Sequence, residues 1–180
     1  MYQVKADKIL RPIFNMFYTD GLACGEDAGK WLFGNKKFEV LTNGRDIDAY
    51  RFNVNKRNCI RSLYNIDKEI VIGHVGGFFE QKNHKFLTET YKEIRKIEPT
   101  CKFFMIGDGP LKNEIETECQ GLNVIFTGAI DNVADYLNAM DGMLLPSLFE
   151  GLPLVAIEWQ INGLPCIFSD AITKECILTN

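Results

Sequence analysis

From residue 70 onward, nearly continuous apolar runs alternate with amphipathic segments. The runs at 70–75, 102–107, 123–127, 142–145 and 165–168 predict strands, and the segments at 83–97, 110–120, 132–140 and 152–162 predict helices between them. Strands that are apolar on both faces and separated by helices imply a parallel sheet covered on both sides. The expected class is therefore α/β, a doubly wound, Rossmann-like parallel sheet whose ligand binds at the carboxyl ends of its strands. In the helix that starts at Asn83, the residues Phe86, Leu87, Tyr91, Ile94 and Ile97 predict one buried stripe. Lys85, Glu89, Lys92, Glu93 and Lys96 lie off that stripe.

Before residue 70 the pattern is weaker. An apolar-spaced start (Ile9, Leu10, Ile13, Phe14, Phe17) leads to a short helix near residues 26–33 and a strand at 38–41, which together are too little to bury a core. Asn43-Gly44 is a turn signal, and residues 55–64 are basic and helical in pattern. The expected organisation has residues 1–42 as an incomplete segment, 43–65 as a crossover with a first helix, and 66–180 as the Rossmann-like domain.

Composition narrows the function classes. The 180 residues are 46% hydrophobic and 24% charged, as in ordinary globular proteins, and the net charge of −4 with no basic stripe argues against nucleic-acid binding. No apolar run approaches the ~20 residues that cross a bilayer, and the first residues hold four charges without an apolar leader, so a cytoplasmic location is expected. The six cysteines, at 24, 59, 101, 119, 166 and 176, show no zinc spacing and read as reduced, buried thiols.

The candidate chemistry centres on Pro-Ser-Leu-Phe-Glu-Gly-Leu-Pro-Leu-Val-Ala-Ile-Glu-Trp at 146–159. This is a strand, loop and helix junction with Pro153 at the helix start, where the backbone N–H groups around Gly151 and Leu152 can meet an anion or a sugar oxygen. Glu150 and Glu158 would stand about 9 to 12 Å apart along one element at about 1.5 Å per residue. That spacing suits the hexose and ribose ends of a nucleotide-sugar. Glu158 sits among apolar neighbours and needs a partner or a wet cavity. Either acid alone is equally at home as an ordinary helix residue.

Other loops supply candidate walls. Gly76 and Gly77 permit close backbone approach and Lys82 supplies a point charge, although the same residues also make a flexible surface turn. Asp108-Gly109-Pro110 forms a turn into a helix. His74, inside a strand, reads as a hydrogen-bonded core residue, and His84, at a helix start, as solvated. Neither a G-x-G-x-x-G after a strand nor a G-x4-G-K-[ST] motif is present. A dehydrogenase-like reading and a P-loop reading both lose their main support.

Glu150 and Glu158 resemble the E-x7-E acids of family 4 retaining glycosyltransferases with the GT-B fold, the "glycosyl transferases group 1" domain. Lys82-Asn83 resembles the end of that family's G-R-x-x-x-x-K-N diphosphate loop, 107–110 its GDGP loop, and Phe126-Thr127-Gly128 with Val133 its F-x-G-x-x-x-x-V segment. Residues 23–34 and 40–46 are similar to the end of its amino-terminal lobe and the crossover that follows. Gly77 stands where the family carries arginine, and diphosphate affinity is expected to fall by about 1.5 to 3 kcal/mol for the missing charged hydrogen bond. Arg45 stands where an apolar residue is usual.

The resemblance implies the donor-binding lobe of an enzyme that moves a hexose from a nucleotide-sugar, most simply a UDP-hexose, to a capsular-type polysaccharide or lipid-linked acceptor with retention. Glu150 would contact the hexose and Glu158 the ribose. Gly76, Gly77, Lys82, Gly151 and Leu152 would hold the diphosphate, Asp108 and Gly109 would border the nucleotide, and backbone at Ile130 would read the base. No metal or cofactor is implied. By the family pattern the chain is short at both ends, so a missing amino-terminal lobe, or a separate chain supplying it, is the expected partner, and weak activity alone is expected. A lipid-linked acceptor would allow peripheral association at the inner membrane face. The alternative is a non-enzymatic nucleotide-sugar-binding or interaction module that has lost catalysis.

Overall fold

The computed structural model describes residues 2–178, with side chains from residue 10 onward, so that Ile9 of the predicted apolar start lies outside the described side chains. Two compact units divide at Gly44/Arg45. The first holds α1 (Tyr2–Phe17), β1 (Leu22–Ala23), α2 (Glu26–Phe33) and β2 (Glu39–Val40), with β1 and β2 paired in parallel. Its apolar centre is an aromatic row, Phe14, Tyr18, Phe33 and Phe38, with successive ring centroids 4.9 to 5.9 Å apart. Gly29 lets α2 approach that row, since a Cβ there would stand 2.1 Å from the Phe38 ring. Phe33 is the one large apolar side chain fully buried among this unit's described residues.

The second unit begins with α3 (Ile47–Tyr50) and α4 (Val54–Leu63) and then alternates: β3 (Val71–Val75), α5 (His84–Ile97), β4 (Lys102–Ile106), α6 (Lys112–Glu118), β5 (Val124–Gly128), α7 (Val133–Leu137), β6 (Gly142–Leu145), α8 (Leu154–Asn162) and β7 (Cys166–Phe168). The five strands form one wholly parallel sheet in the order β5-β4-β3-β6-β7. The predicted α/β class holds, and each predicted element is present within one to three residues of its expected ends. Strand β3 is the point where the chain reverses its direction of travel across the sheet. Loops leaving β3 and β6 therefore diverge and leave a crevice at their carboxyl ends.

Side chains alternate across the strands and divide the core in two. Val71, Val75, Phe104, Ile106, Met143 and Leu145 face Ile60 of α4, Tyr136 and Leu137 of α7 and Trp159 of α8. Phe103, Met105 and Leu144 face Leu87 and Tyr91 of α5 and Ile115 of α6. Strands β4 and β6 are buried almost end to end because both of their faces are covered, whereas Ile167 of the edge strand β7 is 70% exposed. One expectation for α5 needs correcting: Phe86 is 53% exposed and Ile97 87% exposed. At about 100° per residue both fall to the side of the Leu87–Tyr91 stripe, and His84 and Thr88 complete the buried face instead. The cysteines also divide: Cys101, Cys119 and Cys176 are buried as expected, but Cys59 is exposed because it lies on the outer side of α4.

The segment from Arg45 to α4 is tied to the sheet by charge. Asp141, just before β6, accepts from Arg57 Nη2 at 2.6 Å, from Arg61 Nη1 at 3.3 Å and from the Val71 backbone N–H at 2.8 Å. Arg61 is buried and also donates to the carbonyls of Ala139, Asp67 and Glu69. Replacing Asp141 by alanine strands a buried guanidinium and a strand N–H. Asp141→Ala is expected to lower unfolding stability by about 2 to 4 kcal/mol in urea titrations, with the fold retained by circular dichroism.

Candidate functional site

The loops that leave β3, β4 and β5 are joined backbone to backbone. Gly76 N donates to Ile106 O at 2.9 Å, Phe78 N to Asp108 O at 2.9 Å, Leu111 N to Phe78 O at 3.1 Å and Gly107 N to Gly128 O at 3.0 Å. This approach requires glycine at 107 and 109. Both have positive φ, 143° and 157°, and a Cβ would lie 2.1 Å from Gly76 O at the first and 2.7 Å from Phe78 N at the second. Gly76, Gly77, Asp108 and Gly109 thus share one rigid ledge. Asp108 is exposed, and its carboxylate accepts from the Gly109 N–H at 2.7 Å, which fixes the turn. Ile130 follows β5 and packs its side chain against the core.

Beyond Gly77 the chain makes a short 3-10 turn at Glu80–Lys82 and then reverses at Asn83, a left-handed residue with φ 56° and ψ 48°. That turn reaches the loop that follows β6. Lys82 Nζ meets Glu150 Oε1 at 2.6 Å, with side chains only 17% and 9% exposed. Gln81 Nε2 donates to Glu150 Oε2 at 3.1 Å and to Phe149 O at 2.9 Å, while Leu148 N donates back to Gln81 O at 2.8 Å. The cation read as a phosphate ligand is therefore also the counter-charge of Glu150. Gln81, which sequence reasoning passed over, orients the other carboxylate oxygen. Its only sequence signal was its place beside Lys82.

Glu150 lies in the loop before α8, whereas Glu158 lies within the helix, so the two acids do not share one element as expected. The helix starts at Leu154, and Pro153, extended at φ −72° and ψ 102°, occupies the N-cap without a capping side chain. Gly151 is exposed with open space where a Cβ would be, and Leu152 packs on the core. Glu158, 7% exposed, is partnered by Arg45, whose Nε lies 2.7 Å from Oε1. The two residues are 113 positions apart, and nothing local in the sequence announces the pair.

The two histidines of this region are both interior. His74 is fully buried, with Nδ1 2.9 Å from Leu144 O. A carbonyl only accepts, so Nδ1 carries the proton and Nε2 is left as an acceptor. His84, expected to be solvated, is 1% exposed: it stacks on Phe78 at 4.1 Å and meets His74 edge-on at 4.9 Å. The left-handed Asn83 turns the first residue of α5 inward.

At Gly77 the ring of Phe79 stands 2.7 Å from where a Cβ would be, and that ring is 53% exposed and able to swing aside. Among the described residues no three His, Cys, Asp or Glu side chains gather as a metal site, and no helix is long and apolar enough to cross a membrane. A hollow lined by Asp67, Lys68, Glu69, Pro99 and Lys102 lies at the opposite, amino-terminal edge of the sheet, away from these residues. Parallel sheets do not place their ligands there.

Residues 69–179 match the family described as "Glycosyl transferases group 1". The chain belongs to that family. It is 37% identical over 163 residues to "Putative glycosyltransferase EpsF" of Bacillus subtilis (strain 168), covering 85% of this chain and 42% of that protein. It is 31% identical over 152 residues to the UDP-Gal:alpha-D-GlcNAc-diphosphoundecaprenol alpha-1,3-galactosyltransferase of Escherichia coli, covering 80% of this chain and 39% of that one. The chain thus spans well under half the length of these relatives. Among solved structures, Anabaena Alr3699/HepE in complex with UDP and glucose is similar with a TM-score of 0.84 and 18% identity, over 98% of this chain and 51% of that one. At that identity the likeness shows the shared glycosyltransferase GT-B fold.

Burial pushes the His74 imidazole down to about 3, with the His84 ring adding to the effect, and the His84 imidazole down to about 4, with the Lys82 charge second. In the unfolded chain both titrate near 6.5. Their folded values are depressed, so the unfolded state binds more protons below about 6.5 and stability falls as the pH is lowered. Urea unfolding at pH 7 and pH 5 is expected to differ by roughly 2 to 4 kcal/mol, and His84→Gln is expected to remove about half of that difference.

Proposed function

We propose that this chain is the donor-binding part of a retaining glycosyltransferase that takes a hexose from a nucleotide-sugar, a UDP-hexose, and passes it to a polysaccharide or lipid-linked acceptor. The observation that carries the reading is the Lys82–Glu150 pair, largely buried at the carboxyl end of a parallel sheet beside a ledge of bare glycine backbone. Charge is seldom buried at a loop junction for stability alone, since a buried pair is weak evidence of a stabilising role. The names of the Escherichia coli relative and of the HepE complexes, which mention UDP-Gal, UDP and UDP-glucose, favour a uridine nucleotide.

In this reading the diphosphate lies along Gly76 and Gly77, and Lys82, an ammonium with three donors, shares its charge between Glu150 and the phosphate. The Gly151 and Leu152 N–H groups ahead of α8 add neutral donors where the helix dipole favours an anion. Glu150 accepts from the hexose hydroxyls and supports positive charge that grows at the anomeric carbon. Glu158 holds the ribose diol, Asp108 and Gly109 border the nucleotide, and backbone at Ile130 reads the base. As the bond from the anomeric carbon to the diphosphate oxygen breaks, a bond to the acceptor oxygen forms on the same face. The acceptor's proton leaves with the diphosphate. Stabilising that departing anion is electrostatic work which fixed N–H groups and one ammonium perform without a metal.

Calorimetric titration of the 180-residue chain with UDP and UDP-glucose tests the reading. Lys82→Ala is expected to weaken UDP binding at least tenfold, the effect of one lost charged hydrogen bond. Gly77→Arg, for which only the exposed Phe79 ring must move, is expected to strengthen it by about 10- to 100-fold. Glu150→Gln is expected to retain UDP and to lose the preference for UDP-glucose over UDP. Absence of UDP binding in both the parent chain and Gly77→Arg would leave the fold with a structural role and defeat the proposal.

A further inference from the structure

Glu158 is held by the short segment of the chain that leads into α3. Arg45 Nε donates to Oε1 at 2.7 Å, with the arginine side chain 29% exposed and the glutamate side chain 9% exposed. Burial, followed by the charge of Glu158, raises the proton affinity of the Tyr50 hydroxyl above that of an ordinary phenol. The segment between Arg45 and Tyr50 is built to stay in place. Asp46 caps α3 by accepting from Asp48 N at 3.0 Å and Ala49 N at 3.3 Å. Asn162, one helical turn beyond Glu158 on the same face of α8, donates to Tyr50 O at 2.9 Å.

An ionised carboxylate offers about four acceptor sites. Arg45 Nε takes one of them, and a pair of neighbouring ribose hydroxyls would fill two more. Without that donor a glutamate on a mostly apolar helix has several rotamers and no reason to hold one of them, and its buried charge would be unanswered.

Resting on the donor-site reading above, we propose that Arg45 is the positioning residue that fixes the Glu158 carboxylate for recognition of the ribose diol, which makes this arginine a determinant of ribonucleotide over deoxyribonucleotide binding. Arg45 acts through Glu158 and does not itself touch the ligand. A merely structural ion pair would staple α3 to α8 and would be indifferent to the sugar of the nucleotide.

The test is the ratio of dissociation constants for 2′-deoxy-UDP and UDP, measured by calorimetry on the 180-residue chain beside the melting temperature of each variant. The parent chain is expected to prefer UDP by about tenfold or more, as for a lost hydrogen bond to a charged group. Glu158→Gln should reduce the ratio to within about threefold, and so should Arg45→Met, which keeps the apolar stem. Arg45→Lys should restore part of it. Arg45→Ala, which removes the stem as well, should give an equally low ratio and decides the matter if Arg45→Met does not fold. If Glu158→Gln abolishes the preference while Arg45→Met or Arg45→Ala retains it in full, the positioning role is overturned and the donor-site reading stands. If the parent chain binds both nucleotides alike, or neither, the assignment of Glu158 to ribose fails and this inference fails with it.

Discussion

Two carboxylates withdrawn from water at one edge of a parallel sheet must each be answered by a positive charge, and much of the second unit's architecture follows from that constraint. Neither Glu150 nor Glu158 finds its cation on its own element: Lys82 arrives from the loop after β3 and Arg45 from the segment before α3. The Coulomb attraction at 2.6 to 2.7 Å is strong where solvent is scarce, but so is the cost of desolvating each ion, and buried pairs often come out near neutral for stability. Their consequence is geometric. Each pair fixes where a loop sits and what direction a carboxylate faces.

The ledge beside them is held by different means. Gly76, Gly107 and Gly109 carry no side chains, so two loops can share main-chain hydrogen bonds at distances that a Cβ would forbid. A surface made of backbone has little conformational freedom left to lose when a ligand arrives, and a ligand's phosphate can approach it closely. The imidazoles of His74 and His84 lie within the same corner and remain neutral at physiological pH, so they add bulk without adding charge. Net positive charge at this corner is therefore set by Lys82 and tempered by Glu150.

The sheet and its helices were legible in the sequence because each strand is apolar on both faces and each helix but α8 has a clear polar side, a repetition that survives errors at the ends. The loops were legible where glycines stand close together. Contacts across long sequence separations were not. His84 reads as solvated because a histidine at a helix start usually is, and the left-handed turn at Asn83 that buries it leaves no trace in the hydrophobic pattern. Arg45 reads as an isolated departure, since its meaning lies in Glu158, 113 residues away. The two acids read as parts of one element because the helix is expected from residue 152, whereas Pro153 is extended and the helix starts at Leu154, leaving Glu150 in the loop.

Gly77 and Arg45, the two departures from the pattern that the sequence resembles, do not compensate one another. Restoring a missing phosphate ligand would need a guanidinium at the glycine ledge, and Arg45 is instead committed to a carboxylate on α8 that its removal would leave buried and unanswered. Phe79, not a cation, lies over the open face of Gly77. In the proposed donor site the diphosphate would meet mainly neutral N–H donors and one ammonium already shared with Glu150. The ribose end of that proposed site would depend on a carboxylate whose direction Arg45 fixes.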